Sequence, residues 1–155
     1  MLNRYLLAID RYESRHAAVR LAASLAADTG ADVIVFHVQE LPANGRIPPL
    51  ETVKDAWETV EEALSELRAA GVRAEGLVGK ARAGYVGRRI VDESLQSYCR
   101  GIILGSRRLH GWERILGHGV REQVIRLADV PVIAAPALSA KGDSGSGKES
   151  LRRAS

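Results

Sequence analysis

Apolar residues along this chain follow two different periods. Residues 5–9 are continuously apolar and stop at Asp10, and residues 32–38, Asp32 and His37 apart, are apolar and largely β-branched. Such runs predict strands buried on both faces. Between them Ala18, Leu21, Ala22 and Leu25 recur at helical spacing, with Ser14 as N-cap and Gly30 as stop. Residues 41–49 contain Pro42, Asn44, Gly45, Pro48 and Pro49 and read as a loop. Val53, Trp57, Val60, Leu64 and Leu67 then step by fours and threes, which predicts the buried stripe of a long helix ending at Gly71. In residues 72–80 Val72, Ala74, Gly76 and Val78 share one face and Arg73 and Glu75 the other, the pattern of an edge strand. A helix over residues 84–98 packs Val86, Ile90, Val91 and Leu95 and is ended by Gly101. A strand to Leu104, a glycine-containing connection, and a helix on Val120, Val124 and Leu127 follow. The last strand runs from Val130 to Ala135, and Pro131 suits an edge position.

Strands and helices alternate, five and four, which predicts a single α/β domain: a doubly wound parallel sheet with helices on both faces. In such sheets ligands bind beyond the carboxyl ends of the strands, where the strand order reverses. The residues at those ends are Asp10, His37-Val38-Gln39, Lys80 and Gly105. The connection 105–120, GSRRLHGWERILGHGV, adds Arg107, Arg108, His110, Arg114 and His118. A connection from a buried strand to a helix N-terminus presents N–H groups and the positive end of the helix dipole, so it suits an anion.

Composition narrows the function classes. With 155 residues, 46% hydrophobic and 26% charged, the chain fits one globular domain. Its apolar runs are too short for a membrane span, and its first residues do not read as a signal peptide. The single cysteine, Cys99, reads as a packing residue and suits a reducing, cytoplasmic compartment. Of the net charge of +3, two units come from the tail, where Lys141, Lys148, Arg152 and Arg153 outweigh Asp143 and Glu149. The domain, 1–138, is therefore nearly neutral, which argues against a nucleic-acid surface. Residues 139–155 read as a disordered polar tail. No His, Cys, Asp and Glu spacing predicts a metal site.

The strand ending in Asp10, the strand ending His37-Val38, and the run from Ile102 through GSRR to VPVIAAP resemble, in order and spacing, the universal stress proteins over residues 3–137. The resemblance implies strand order 3-2-1-4-5 and a homodimer formed through the last strand. It also implies ATP as a ligand, with no metal predicted. Nucleotide-binding members carry Gly-x2-Gly-x9-Gly-[Ser/Thr] after the fourth strand to hold the phosphates. The aspartate after the first strand and the backbone near the valine ending the second hold the adenosine part. Asp10, Val38 and Gly105 match these positions, while Arg108 stands at the second glycine and His118-Gly119 at the later Gly-[Ser/Thr] pair. The implied nucleotide site is Asp10, Val38, Gly105, Arg107, Arg108, His118, Gly119 and Val120, with a degenerate phosphate loop.

The implied function is regulatory binding in a stress response, with no catalytic residue. The alternatives are a slow ATP hydrolase and a dimeric interaction module that binds no nucleotide. No carboxylate is placed to orient water beside the arginine-rich loop, which weighs against the hydrolase. A phosphoacceptor receiver needs aspartate where Gly79-Lys80 stands, and a flavodoxin needs a Ser/Thr-rich loop where Asp10-Arg11-Tyr12-Glu13 stands. Gly142 to Glu149 matches a phosphate-loop pattern, but Glu149 replaces the magnesium-binding hydroxyl.

Overall fold

The computed structural model describes residues 2–12, 15–105 and 119–136. Along the chain these form β1 (Arg4–Ile9), α1 (Arg15–Thr29), β2 (Asp32–Leu41), α2 (Val53–Ala69) and β3 (Ala74–Arg82). α3 (Val86–Gln96), β4 (Gly101–Leu104), α4 (Val120–Leu127) and β5 (Val132–Ala134) complete them. The five strands make one sheet in the order β3-β2-β1-β4-β5, every neighbouring pair parallel.

Side-chain alternation assigns the two faces. Tyr5, Leu7 and Ile9 of β1 join Val33, Val35 and Ile103 beneath α1 and α2, where Ala22, Val60, Leu64 and Leu67 meet them. Leu6 and Ala8 point the other way, with Ile34, Phe36, Ile102 and Leu104, against Ile90, Val91 and Val124 of α3 and α4. A strand buried on both faces must be apolar at every position, which is why β1, β2 and β4 read as unbroken runs. Fully buried Leu6, Leu7, Ile34 and Phe36 each contribute about 1.5–3 kcal/mol of hydrophobic stabilisation.

The expected elements are all present, with shifted boundaries. β2 extends to Leu41, because β3 offers pairing partners as far as Arg82. β3 lies at one sheet edge, as its mixed face predicts, and β5 lies at the other. Gly30 and Gly71, at φ +64° and +79°, terminate α1 and α2 in the left-handed region that glycine enters most easily. The capping role expected of Ser14, and the disordered tail from residue 139, fall outside the described residues.

Several assignments need correction. The face of α2 is rotated: Ala56, Thr59, Val60, Ala63, Leu64 and Leu67 are buried, while Val53 and Trp57 are exposed. Small residues line this face because α2 packs closely on β3; a Cβ on Gly76 would lie 2.4 Å from Val60 Cγ1. Leu95 of α3 is also exposed, and Ser94 takes the inward position. α3 is ended by Tyr98, at φ +53°, and not by Gly101. Gly101 is already the first residue of β4, where a Cβ would press on the Tyr5 ring at 3.1 Å. In α4 only Val124 is buried, and Val120 is exposed.

The capping box of α2 went unread in the sequence. Thr52 Oγ1 accepts the Asp55 N–H (3.1 Å), and Asp55 Oδ2 accepts the Thr52 N–H (2.8 Å). The Thr52 N–H bond first, and then a bond from the Thr52 hydroxyl to Asp55 Oδ2 (2.7 Å), lower the Asp55 pKa.

Candidate functional site

β1 is the pivot of the sheet. The chain runs outward from it through β2 to β3, then returns to its other side for β4 and β5. Connections leaving β1 and β4 therefore diverge, opening a crevice at their carboxyl ends. A cavity of about 490 Å³ fills it, in the range of small-molecule sites. Asp10, Val38, Gly105 and Val120 all line this cavity. Gly119 is the N-cap residue of α4 beside it. Arg107, Arg108 and His118, like His110 and Arg114, fall outside the described residues.

Backbone geometry explains how Val38 takes part. Successive residues of a parallel strand turn their peptide groups to alternate neighbours. Asp32 N–H donates to Asn3 on the β1 side, whereas Val33 N–H donates to Arg73 on the β3 side. Counting on by twos, Val38 and Glu40 face the β1 side. The last β1 pairing is Ile9 with His37. The Val38 carbonyl thus lies past the end of β1, at the wall of the cavity.

Asp10 sits in the turn that leaves β1. Its Oδ1 accepts the Tyr12 N–H at 2.9 Å, which shapes the turn. Arg15, the first residue of α1, donates from Nη1 to the carbonyls of Arg11 (3.0 Å) and Tyr12 (3.3 Å). Its Nη2 pairs with Glu62 of α2. The turn carrying Asp10 is thereby fastened to the neighbouring helix. Arg11 lies over the Tyr12 ring and donates to the Leu50 carbonyl at 3.3 Å. Its charged form is favoured first by a hydrogen bond to Tyr12 and further by Glu51 and Asp10.

His37 ends the apolar part of β2 and is buried. Nδ1 lies 2.9 Å from the Ile9 carbonyl and Nε2 lies 2.7 Å from Glu51 Oε1. A carbonyl only accepts, so Nδ1 carries a hydrogen. The short Nε2–Oε1 contact then needs one more proton between imidazole and carboxylate, so the pair is neutral as a whole. Gln39 Nε2 donates to the Glu51 carbonyl at 2.8 Å. His37, at the strand end marked in the sequence, is thus held as hydrogen-bonded structure. Glu51 was missed, because nothing in the local pattern tells that the loop before α2 folds back onto β2.

The N-termini of α3 and α4 meet at the far side of the cavity. Tyr85 at the N-cap of α3 has no side-chain cap bond. Gln123 of α4 serves instead, accepting the Arg88 N–H at 3.1 Å and donating to the Gly84 carbonyl at 2.9 Å. This works because Gly87 has no side chain; a Cβ there would lie 2.5 Å from Gln123 Oε1. Val86 and Ile90 add apolar wall. Among the described residues no group of His, Cys, Asp and Glu could hold a metal ion. No helix among them is long and apolar enough to cross a membrane.

The strand order and the cavity at the carboxyl ends of β1, β2 and β4 together define a doubly wound α/β architecture. A model of the universal stress protein family matches residues 1–136, and the chain belongs to that family. A universal stress protein from Archaeoglobus fulgidus is 27% identical, covering 88% of this chain and 95% of that one, with a TM-score of 0.69. The structure of the universal stress protein from Archaeoglobus fulgidus in complex with dAMP is also 27% identical, covering 86% and 97%, with a TM-score of 0.66. A family member from Arabidopsis thaliana with AMP bound covers 91% and 97% at 16% identity, with a TM-score of 0.62, a likeness of fold. No curated protein matches the chain.

Proposed function

We propose that this chain binds an adenine nucleotide in the cavity at the ends of β1, β2 and β4, and acts as a regulatory binder in a stress response rather than as an enzyme. The observation that carries this reading is the convergence of Asp10, Val38, Gly105 and Val120 on one cavity, although they are far apart in sequence. In this reading the Val38 carbonyl accepts a hydrogen from the base amine. The Asp10 carboxylate accepts from ribose hydroxyls, and the N-terminus of α4 faces the phosphates. Arg108 and His118 stand where the family pattern has glycines that bare the backbone, so in this reading the phosphates are held less tightly than by the full motif. The dAMP complex of the 27% identical relative supports a nucleoside monophosphate as ligand, with ATP the family's triphosphate form.

A homodimer through β5 belongs to the same reading. Val132, Ile133 and Ala134 are partly buried and pair on one side with β4, leaving the other side of this strand at the sheet edge. The buried thiol of Cys99 fits a reducing, cytoplasmic setting.

Isothermal calorimetry with AMP and ATP tests the site. Binding by the wild type, weakened about 10-fold or more by Asp10→Ala, is expected from loss of a charge-assisted hydrogen bond of about 1.5–3 kcal/mol. Binding unaffected by Asp10→Ala, or no binding of either nucleotide, overturns the reading.

A further inference from the structure

We infer that Glu51 is a positioning residue, latching the loop between β2 and α2 across the mouth of the cavity; its role in ligand retention rests on the nucleotide reading above. Residues 43–50 are exposed, yet Ile47, Pro48 and Leu50 line the cavity as its outer wall. Ile47 and Leu50 are 57% and 82% exposed. They are poorly packed apolar side chains beside a concave site, placed to cover the flat face of a base.

Very little holds this strap in place. Among the described residues, the hydrogen bonds of 42–49 stay inside the segment: Arg46 N–H to Asn44 Oδ1 and Ile47 N–H to the Asn44 carbonyl. Attachment occurs at the two ends. Ala83 N–H holds the Leu41 carbonyl at one end, where β2 runs beside β3. At the other end, Arg11 reaches the Leu50 carbonyl through a long and exposed bond. Glu51 makes the buried fastening, through its carboxylate to His37 and its carbonyl to Gln39. The side chains of His37 and Glu51 are only 5% and 10% exposed, so water competes little for this bond.

The latch is also incomplete. Glu51 Oε2 and Gln39 Oε1 are buried with no hydrogen-bond partner among the described residues. A buried carboxylate satisfied at one oxygen is a weaker fastening than one satisfied at both. Such a joint holds the strap down yet lets it lift for a ligand to enter or leave.

Glu51→Ala and Glu51→Gln separate this role from a general contribution to stability. The glutamine amide can donate to Nε2 of a neutral His37 and keep the latch; alanine cannot. Hydrogen exchange on the protein without nucleotide should quicken at least roughly tenfold at the Arg46 and Ile47 amides, the hydrogen-bonded N–H groups of the strap, in Glu51→Ala, with the β1 and β4 amides unchanged. The AMP dissociation rate, measured by stopped flow, should rise roughly tenfold in the same variant. Both should return towards wild type in Glu51→Gln. Exchange at Arg46 and Ile47 that stays slow in Glu51→Ala, that quickens across the whole sheet as well, or that is as fast in Glu51→Gln overturns the inference. So does an AMP dissociation rate that the alanine leaves unchanged. If the wild type does not bind AMP, the nucleotide reading fails while the exchange experiment still decides the latch.

Discussion

Adding one methyl group at Gly76 should disturb the seat of α2, and with it the strap that α2 carries at its N-terminus. Gly76 lies on β3 under α2, where a Cβ would stand 2.4 Å from Val60 Cγ1 and 2.9 Å from Leu64 Cδ1. Neither neighbour has room to yield, since Val60 and Leu64 are 0% and 2% exposed. Overpacking of this kind costs about 1–3 kcal/mol. The reduced freedom of the unfolded chain returns about 0.4–1 kcal/mol, so Gly76→Ala should destabilise by about 1–2 kcal/mol. At this chain length that is a fall in Tm of about 2–8 °C. Val60→Ala alone should cost about 2 kcal/mol through lost burial and a cavity. In the double variant the methyl added at position 76 enters the space vacated by Val60 Cγ1. The cost of the double variant should therefore fall short of the sum of the two single costs by at least about 1 kcal/mol. Urea denaturation of the four proteins measures this cycle. A neutral or stabilising Gly76→Ala, or additivity within about 0.3 kcal/mol, would refute the close-packing argument.

Burial pushes the Cys99 thiol up to about 11 from an ordinary 9.0. An acid with a raised folded pKa contributes stability below its unfolded pKa and loses it as the pH rises. Wild type should thus lose about 2–3 kcal/mol between pH 9 and 11 that Cys99→Ala does not, and should resist thiol reagents at pH 8 until unfolded. A two-fold dimer through β5 should appear by light scattering at concentrations of tens of micromolar; a monomer there would exclude it. Restoring the family pattern with Arg108→Gly, His118→Gly and Gly119→Ser should strengthen ATP binding. Tight binding by the wild type that these changes abolish would show that the side chains are themselves the ligands.

Much of the fold is legible from single residues because burial on both faces leaves a plain signature. β1 and β2 could be read from their unbroken apolar runs, and Gly30 and Gly71 marked helix ends through a conformation that glycine enters readily. Reading failed where another element decides the outcome. Val53 and Trp57 carry helical spacing, but the close approach of α2 to Gly76 of β3 turned Ala56, Thr59 and Ala63 inward instead. Gly101 looked like a stop, yet its partner is the Tyr5 ring on a neighbouring strand, and Tyr98 made the turn.

The candidate site divides in the same way. Asp10, Val38 and Gly105 were legible, because in an alternating α/β chain the strand ends mark the ligand side before any coordinate is known. Glu51, Arg15 and Gln123 were not. Each acts through a partner far along the chain, His37, Glu62 and Gly84 respectively, and local periodicity carries no record of such pairings. Sequence alone determined the alternation of strands and helices and therefore the end of the sheet at which a crevice opens. The tertiary structure decided which loop folds back over that place and which buried proton-sharing pair holds it there.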